Sequence, residues 1–265
     1  MSRALTPVAP PPEVLSDHEG WDCELAWSLV PQAATWRLTR GSEARYVKVA
    51  RVGREPSLPA ERVRLEWAAG RLPVPTVLDG GTVDGVDWLL LAGLPGRDAT
   101  VHPLREEPAR LVPILARALR TLHEAPIDDC PFDFRLDAAL AKVRQRVRDE
   151  LVVPATDFPE ELQHLTAQAA LEWLESDRPD TEDVVLCHGD YCLPNVLFNE
   201  SGGLIGYLDL GKLGLADRWW DLAVATWSVT WNLGPGWEDL FLDAYGAARD
   251  PAREAYYRLM YNVVS

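Results

Sequence analysis

The stretch that most restricts what this chain can become is LCHGDYCLPNVLFNESGGLIGYLDLGK, residues 186–212. Two short apolar runs, NVLF and LIGYLD, flank Asn199-Glu200-Ser201-Gly202-Gly203. Strand-prone segments around a glycine-rich turn predict a hairpin. Such a hairpin folds Asn195, at its start, and Asp209, at its end, back toward each other. An amide oxygen and a carboxylate converging at one end of a hairpin are hard oxygen ligands suited to magnesium, which keeps several waters and takes further ligands from phosphates. Asp190, on the loop before the hairpin, is placed to accept the proton of an attacking hydroxyl. A hairpin flanked by acids is usually a solvated turn. The joint spacing of His188, Asp190, Asn195 and Asp209 is what argues for a site instead.

Periodicity organises the remainder. Residues 21–50 alternate apolar and polar side chains, with Arg40-Gly41-Ser42-Glu43 as a turn, and predict a hairpin. Residues 59–70, PAERVRLEWAAG, open on a proline and close on a glycine, with Val63, Leu65, Trp67 and Ala68 as the apolar set; these are the signals of a short helix. Two strand-like runs split by Asp79-Gly80-Gly81 follow, and Gly93-Leu94-Pro95-Gly96 reads as a break. Beyond it, residues 107–125, 136–151, 159–176, 217–231 and 236–248 show apolar spacing near that of a helix, while 184–210 reads as short strands around turns. The expected class is α+β, a small β-rich lobe with one helix (1–94) followed by a larger, mainly helical lobe (95–265), with a cleft at the connector.

Charge narrows the partners. Of a net charge of -15, residues 1–100 carry 11 basic and 13 acidic side chains and residues 101–265 carry 15 and 28. So acidic a surface argues against nucleic acid, whose binding rests on neutralising phosphates, and would draw in a cationic small molecule. The same acidity also serves solubility. No apolar run reaches the roughly 20 residues of a membrane span, and the proline-rich start lacks the apolar core of a secretory signal, so a cytoplasmic protein without membrane contact is expected. Cys23, Cys130, Cys187 and Cys192 lack C-x-x-C spacing and read as reduced thiols. Nothing in the pattern specifies an oligomer.

The order of residues along the chain completes the picture. Lys48 lies in the strand RYVKVA and Glu61 in the helix after it. A strand lysine held by a helix glutamate, then H-x-D-x-x-x-x-N, then D-x-G, is the plan of protein kinases. The P-loop, zinc-protease and serine-hydrolase signatures G-x-x-x-x-G-K-[ST], H-E-x-x-H and G-x-S-x-G are missing. YVKVA, ERVRLEWAAGRLPVPTVL, LHEAPIDDCPFDFRLDAAL, CHGDYCLPNVLF, GYLDLGKLGLADRWWDLA and FLDAYG together resemble the aminoglycoside phosphotransferases, in particular the kanamycin-type 3'-phosphotransferases of the protein-kinase-like fold. The resemblance implies a nucleotide-binding first lobe and a catalytic, acceptor-binding second lobe. It implies transfer of the γ-phosphate of ATP or GTP to a hydroxyl of an aminoglycoside antibiotic, with Asp190 as catalytic base and Asn195 and Asp209 as ligands of Mg2+. Lys48 with Glu61 then holds the phosphates, Tyr46 stacks on the nucleotide base, and backbone groups of Ala92 and Leu94 meet its edge. Asp217 and Asp221 are expected to hold the catalytic loop through backbone contacts, and Lys212 matches a basic position near the transferred phosphate.

Three departures bear on the acceptor. SLVPQAATW has Val30 and Pro31 where the family often has glycine and serine, and VATWSVTWNLG offers Trp227, Trp231 and Asn232 where the kanamycin enzymes present acids. In YYRLMYNVVS, Tyr261 and Asn262 stand at acidic positions of the family pattern. The tryptophans read either as helix core or as a face that holds an ammonium. Two other readings stay open: a kinase of the same fold acting on a different hydroxyl compound, and a nucleotide-binding module without catalysis.

Overall fold

The alternation at residues 21–50 becomes three antiparallel strands, β1 (Asp22–Leu29), β2 (Ala33–Arg40) and β3 (Glu43–Arg51), preceded by a short helix α1 (Pro12–Ser16). Helix α2 (Leu58–Ala68) and strands β4 (Val77–Val83) and β5 (Val86–Ala92) follow, and the sheet runs β1-β2-β3-β5-β4. The computed structural model describes residues 6–53, 55–158 and 160–264 and divides them into two units. The sheet and its helices form the first, up to Gly96, joined by Ile205–Gly211 from much later in the chain.

Strand periodicity decides which β3 residues meet the core. Val47 and Val49 are buried with Val8, Val14, Ala34, Leu38 and Leu90 on one face, so Tyr46 and Lys48 point to the other. Lys48 pairs across the ladder with Leu89 of β5 and Thr35 of β2. Helix α2 packs against β4 and β5. Ser57 caps it, accepting from the Ala60 N–H, and its buried stripe is Leu58, Glu61, Leu65 and Ala68. This differs from the apolar set read from the sequence: Val63 is exposed, and an acid sits inside the stripe.

The second unit comprises Arg97–Leu204 and the chain from Lys212 onward. Its strand β6 (Arg97–Asp98) pairs with β8 (Val196–Phe198), and β7 (Val184–Cys187) with β10 (Gly214–Asp217). Strand β9 (Leu204–Tyr207) carries the chain into the first unit. The helices are α3 (Pro108–His123), α4 (Leu136–Arg148), the single turn α5 (Pro154–Asp157), α6 (Ala167–Ser176), α7 (Trp219–Leu233), α8 (Glu238–Tyr245) and α9 (Pro251–Val264). Helix α7 packs against α8 and α9, and α4 against α6 and α9. Ten of the first eleven residues of α7, Trp219 to Val229, are buried, as expected of a helix enclosed on all sides.

Two helical expectations change. The run 159–176 does not form one helix: a turn of 3-10 helix at Glu160–Leu162 ends it early, and α6 begins only where the Thr166 hydroxyl accepts from the Ala169 N–H. Helix α9, which the periodicity did not mark out, buries Tyr256, Tyr257, Leu259, Met260, Val263 and Val264. The four cysteines are free thiols. Among the described residues no helix is long and apolar enough to cross a membrane.

Candidate active site

In the first unit, β3 and α2 bring Lys48 onto Glu61. The ammonium donates to Glu61 Oε1 at 2.7 Å and Oε2 at 2.6 Å, and to Asp209 Oδ1 at 2.6 Å. The pair is buried, Lys48 at 11% and Glu61 at 3% side-chain exposure, whereas Asp209 is 54% exposed. Burial works against the charge on Lys48, yet Asp209 and Glu61 together hold its pKa above the ordinary lysine value. Burial also pushes the Glu61 carboxyl up, against the pull of the ammonium, with Asp209 adding repulsion. Asp209 adopts a φ of 57°, a left-handed conformation unusual for a residue other than glycine and typical of functional positions. Its second oxygen, on the exposed side chain, is available to a cation.

The other nucleotide-side expectations fall in the same unit. Tyr46 lies opposite Leu91 in the β3–β5 ladder. The Ala92 N–H donates to the Thr76 carbonyl at 2.9 Å, and the Leu94 carbonyl accepts from the Gly96 N–H at 3.0 Å. Val30 and Pro31 lie in the turn between β1 and β2, closed by the Gln32 N–H on the Leu29 carbonyl.

In the second unit, Asp190 sits on the loop after β7. Its Oδ1 accepts from the Tyr261 hydroxyl at 2.8 Å and from the Cys192 thiol at 3.2 Å, and its Oδ2 from Asn195 Nδ2 at 3.2 Å. Burial would raise the Asp190 carboxyl, but the Lys212 ammonium, His188 and the bonds from Tyr261 and Cys192 hold it below the usual carboxylate value. Burial, reinforced by the Asp190 charge, pushes the Cys192 thiol well up, so Cys192 stays protonated and donating. Asn195 Nδ2 also donates to the Asp190 carbonyl at 2.9 Å. With the amide nitrogen spent on Asp190, its Oδ1 remains as an oxygen ligand. The Asn195 amide oxygen in the second unit and the Asp209 carboxylate in the first are each a hard oxygen of the kind magnesium takes.

The Asp190 loop is held from behind. Asp221 Oδ2 accepts from the His188 N–H at 2.6 Å and Oδ1 from the Gly189 N–H at 2.9 Å. His123 at the end of α3 bonds Asp221 at 3.0 Å and the Tyr245 hydroxyl at 2.8 Å. Trp220 Nε1 donates to the Gly189 carbonyl at 3.1 Å. Asp217 does something else than expected: it accepts from the Asp183 and Trp219 N–H groups and pairs with Arg253 at 2.5 Å, anchoring the start of α7 to α9 rather than the loop. His123 was not singled out in the sequence, where LHEAP marks only a helix end. Nor was Cys192 assigned a role, although it lies two residues from Asp190.

Gly189 itself admits no side chain. Its φ is 82°, and a Cβ there would lie 2.3 Å from the Lys212 carbonyl oxygen. Gly189→Ala is therefore expected to lower the thermal unfolding midpoint, since the left-handed backbone alone costs about 1–3 kcal/mol before the clash shifts Lys212 and the loop. A melting curve unchanged from the parent would contradict this.

Of the residues expected on the acceptor side, Trp227 and Trp231 are 39% and 76% exposed, with ring centroids 6.0 Å apart. They are surface residues one turn apart on α7, so the core reading does not hold for them. The Lys212 ammonium lies 4.6 Å from the centroid of the Tyr261 ring. Asn232 turns back, donating to the Ser228 carbonyl at 2.8 Å.

The chain is similar to known phosphotransferases over most of its length. The model of the phosphotransferase enzyme family matches residues 32–257. The aminoglycoside 3'-phosphotransferase of Streptomyces fradiae is 38% identical over 241 residues, covering 86% of this chain and 90% of that one. The crystal structure of an aminoglycoside-3'-phosphotransferase of type VIII superposes with a TM-score of 0.85 at 31% identity, covering 95% of this chain and 97% of the other. Aminoglycoside phosphotransferase APH(3'')-Id from Streptomyces rimosus, in complex with ADP and streptomycin, gives a TM-score of 0.75 at 29% identity over 95% and 96% of the two chains.

Proposed function

Because the chain belongs to the phosphotransferase enzyme family, we propose that it is an aminoglycoside O-phosphotransferase, moving the γ-phosphate of ATP or GTP to a hydroxyl of an aminoglycoside antibiotic and so conferring resistance. The observation that carries the reading is Asp190: a carboxylate held ionised, with a hydroxyl already hydrogen-bonded to Oδ1. That is the state a base needs to take a proton from an attacking alcohol.

On this reading each residue has a definite task. Lys48, kept extended by Glu61, meets the nucleotide phosphates. Tyr46 stacks on the base. Ala92 offers its carbonyl, because its N–H is spent on Thr76, and Leu94 offers its N–H, because its carbonyl accepts from Gly96. Asn195 Oδ1 and the Asp209 carboxylate would hold Mg2+, which supplies neutralisation of phosphate charge when bound. Asp190 takes the acceptor proton, and Lys212 offers positive charge to the group in transit. Catalysis is then mostly positioning and charge stabilisation. A cytoplasmic location follows from the need for a nucleotide donor.

One observation favours a second reading, a kinase of the same chemistry with another hydroxyl acceptor: the exposed face of Trp227 and Trp231 stands where the kanamycin pattern has acids. If an aminoglycoside ammonium rests on that face, a cation-π contact of about 0.5–2 kcal/mol is involved. Trp231→Ala should then raise KM for the aminoglycoside roughly two- to thirtyfold with kcat retained, by the same energies. An unchanged KM would remove Trp231 from the acceptor site.

The direct test of the main reading is ADP or GDP release by the purified protein with Mg2+ across a panel of aminoglycosides. Release that depends on the acceptor supports it. No release with any aminoglycoside, while nucleotide still binds, would transfer the case to the second reading.

A further inference from the structure

We propose that Tyr261 is itself a phosphoryl acceptor, modified through Asp190 when no aminoglycoside is present. The inference rests on the phosphotransferase reading above. Its basis is the hydroxyl that occupies the base in this structure: Tyr261 Oη–H donates to Asp190 Oδ1 at 2.8 Å, the bond that an acceptor alcohol must make before transfer.

Three features make the contact more than a passing one. Tyr261 stands on α9 among Leu259, Met260, Val263 and Val264, all buried, so packing fixes the helix turn that carries it. The residue is neither buried nor fully exposed. The Lys212 ammonium lies 4.6 Å from the ring centroid, within reach of a phosphate placed on that ring. A phenol, with a pKa near 10, also gives up its proton to a carboxylate more readily than an aliphatic alcohol does.

The step balances. The phenolic proton passes to Asp190 Oδ1 as the Tyr261 Oη–P bond forms. The bond from the γ-phosphorus to the oxygen bridging it to the β-phosphate breaks, and ADP leaves with that electron pair. An aminoglycoside hydroxyl needs the same carboxylate, whose Oδ1 is already engaged by Tyr261 and Cys192. Acceptor binding and the Tyr261 contact therefore compete.

The test incubates the full chain with Mg2+ and ATP without aminoglycoside, follows gain of one phosphoryl group by intact mass, and maps it by peptide fragmentation. Aminoglycoside-dependent ADP release is measured on the same preparation. The expected result is a phosphate on Tyr261, absent in Asp190→Asn and in Tyr261→Phe, and reduced at least severalfold by a saturating aminoglycoside. Mapping on the unaltered chain stands by itself if Tyr261→Phe fails to fold. Aminoglycoside turnover with no phosphate on Tyr261 overturns the inference alone, as does a phosphate on another residue or one that persists in Asp190→Asn. A phosphate on Tyr261 with no aminoglycoside turnover upholds it and overturns the aminoglycoside reading. Absence of both overturns both.

Discussion

Asp190→Asn is expected to lower kcat for phosphate transfer by about 10²- to 10⁴-fold, the usual contribution of a positioned general base, with little change in nucleotide affinity or unfolding midpoint. The substitution keeps the shape and removes the charge and, with it, the basicity of the group. One oxygen still accepts from Tyr261 and Cys192. The new amide nitrogen then faces the Asn195 Nδ2 donor, a local conflict in place of the 3.2 Å bond. Steady-state kinetics with a fixed aminoglycoside, beside a melting curve, separate the two effects. Retention of more than a tenth of kcat would remove Asp190 from its role. The pH profile carries the same information. The carboxyl is held below its ordinary value, so it is fully ionised at neutral pH, and the acid limb of the parent's kcat should appear only as pH falls below the usual aspartate range. That limb should be absent from the residual activity of the variant.

Lys48→Met should damage both stability and turnover, and the two are separable. Removing one partner of a buried ion pair typically costs about 3–5 kcal/mol, because the other charge stays buried and unpaired. Glu61, at 3% side-chain exposure, is that charge, with the Asp209 carboxylate beside the same ammonium. In the variant nothing opposes the effect of burial on Glu61, so its folded-state pKa lies above its unfolded value. A group shifted this way contributes stability below its unfolded pKa and loses it as pH rises through the folded one. The deficit against the parent should therefore be largest at neutral pH and shrink in acid. Adding Glu61→Gln should recover most of the stability without recovering turnover, because the phosphate contact is still missing. That contact, a charge placed where the transition state needs it, is worth roughly 10²–10³ in kcat by analogy with other electrostatic donors. A doubly substituted chain that is stable and fully active would refute the role of Lys48.

How far the sequence is legible depends on the distance over which each feature is determined. His188, Asp190, Asn195 and Asp209 lie within one loop and hairpin, so their spacing along the chain could be read directly. The same holds for the turn at Arg40–Glu43, bounded by β2 and β3. Glu61 was read as the lysine's partner only through the order of motifs. Its burial was visible in principle, as the one acid on the Leu58–Leu65–Ala68 face, but the apolar set was assigned instead through Val63 and Trp67. Helix α9 was missed because its buried tyrosines mix with arginines and an asparagine, a pattern without a clean apolar stripe. The break before α6 was missed because Thr166 caps that helix within a run whose apolar spacing continues through it.

What the sequence by itself determined is a set of residue types and their order: an aspartate, an asparagine and a second aspartate, for which the roles of base and hard-cation ligands are proposed, and a lysine with its acid. Local spacing encodes these because each is held by its own strand, turn or helix. What only the tertiary structure decided is which neighbours tune that chemistry. Tyr261 meets Asp190 from 71 residues away and His123 meets Asp221 from 98. Asp217 turns to Arg253 rather than to the loop, and Trp227 faces solvent from the otherwise buried stretch of α7, with Trp231 exposed one turn on. Contacts of that kind depend on how helices pack side by side, and no periodicity within one segment records which face of another it will meet.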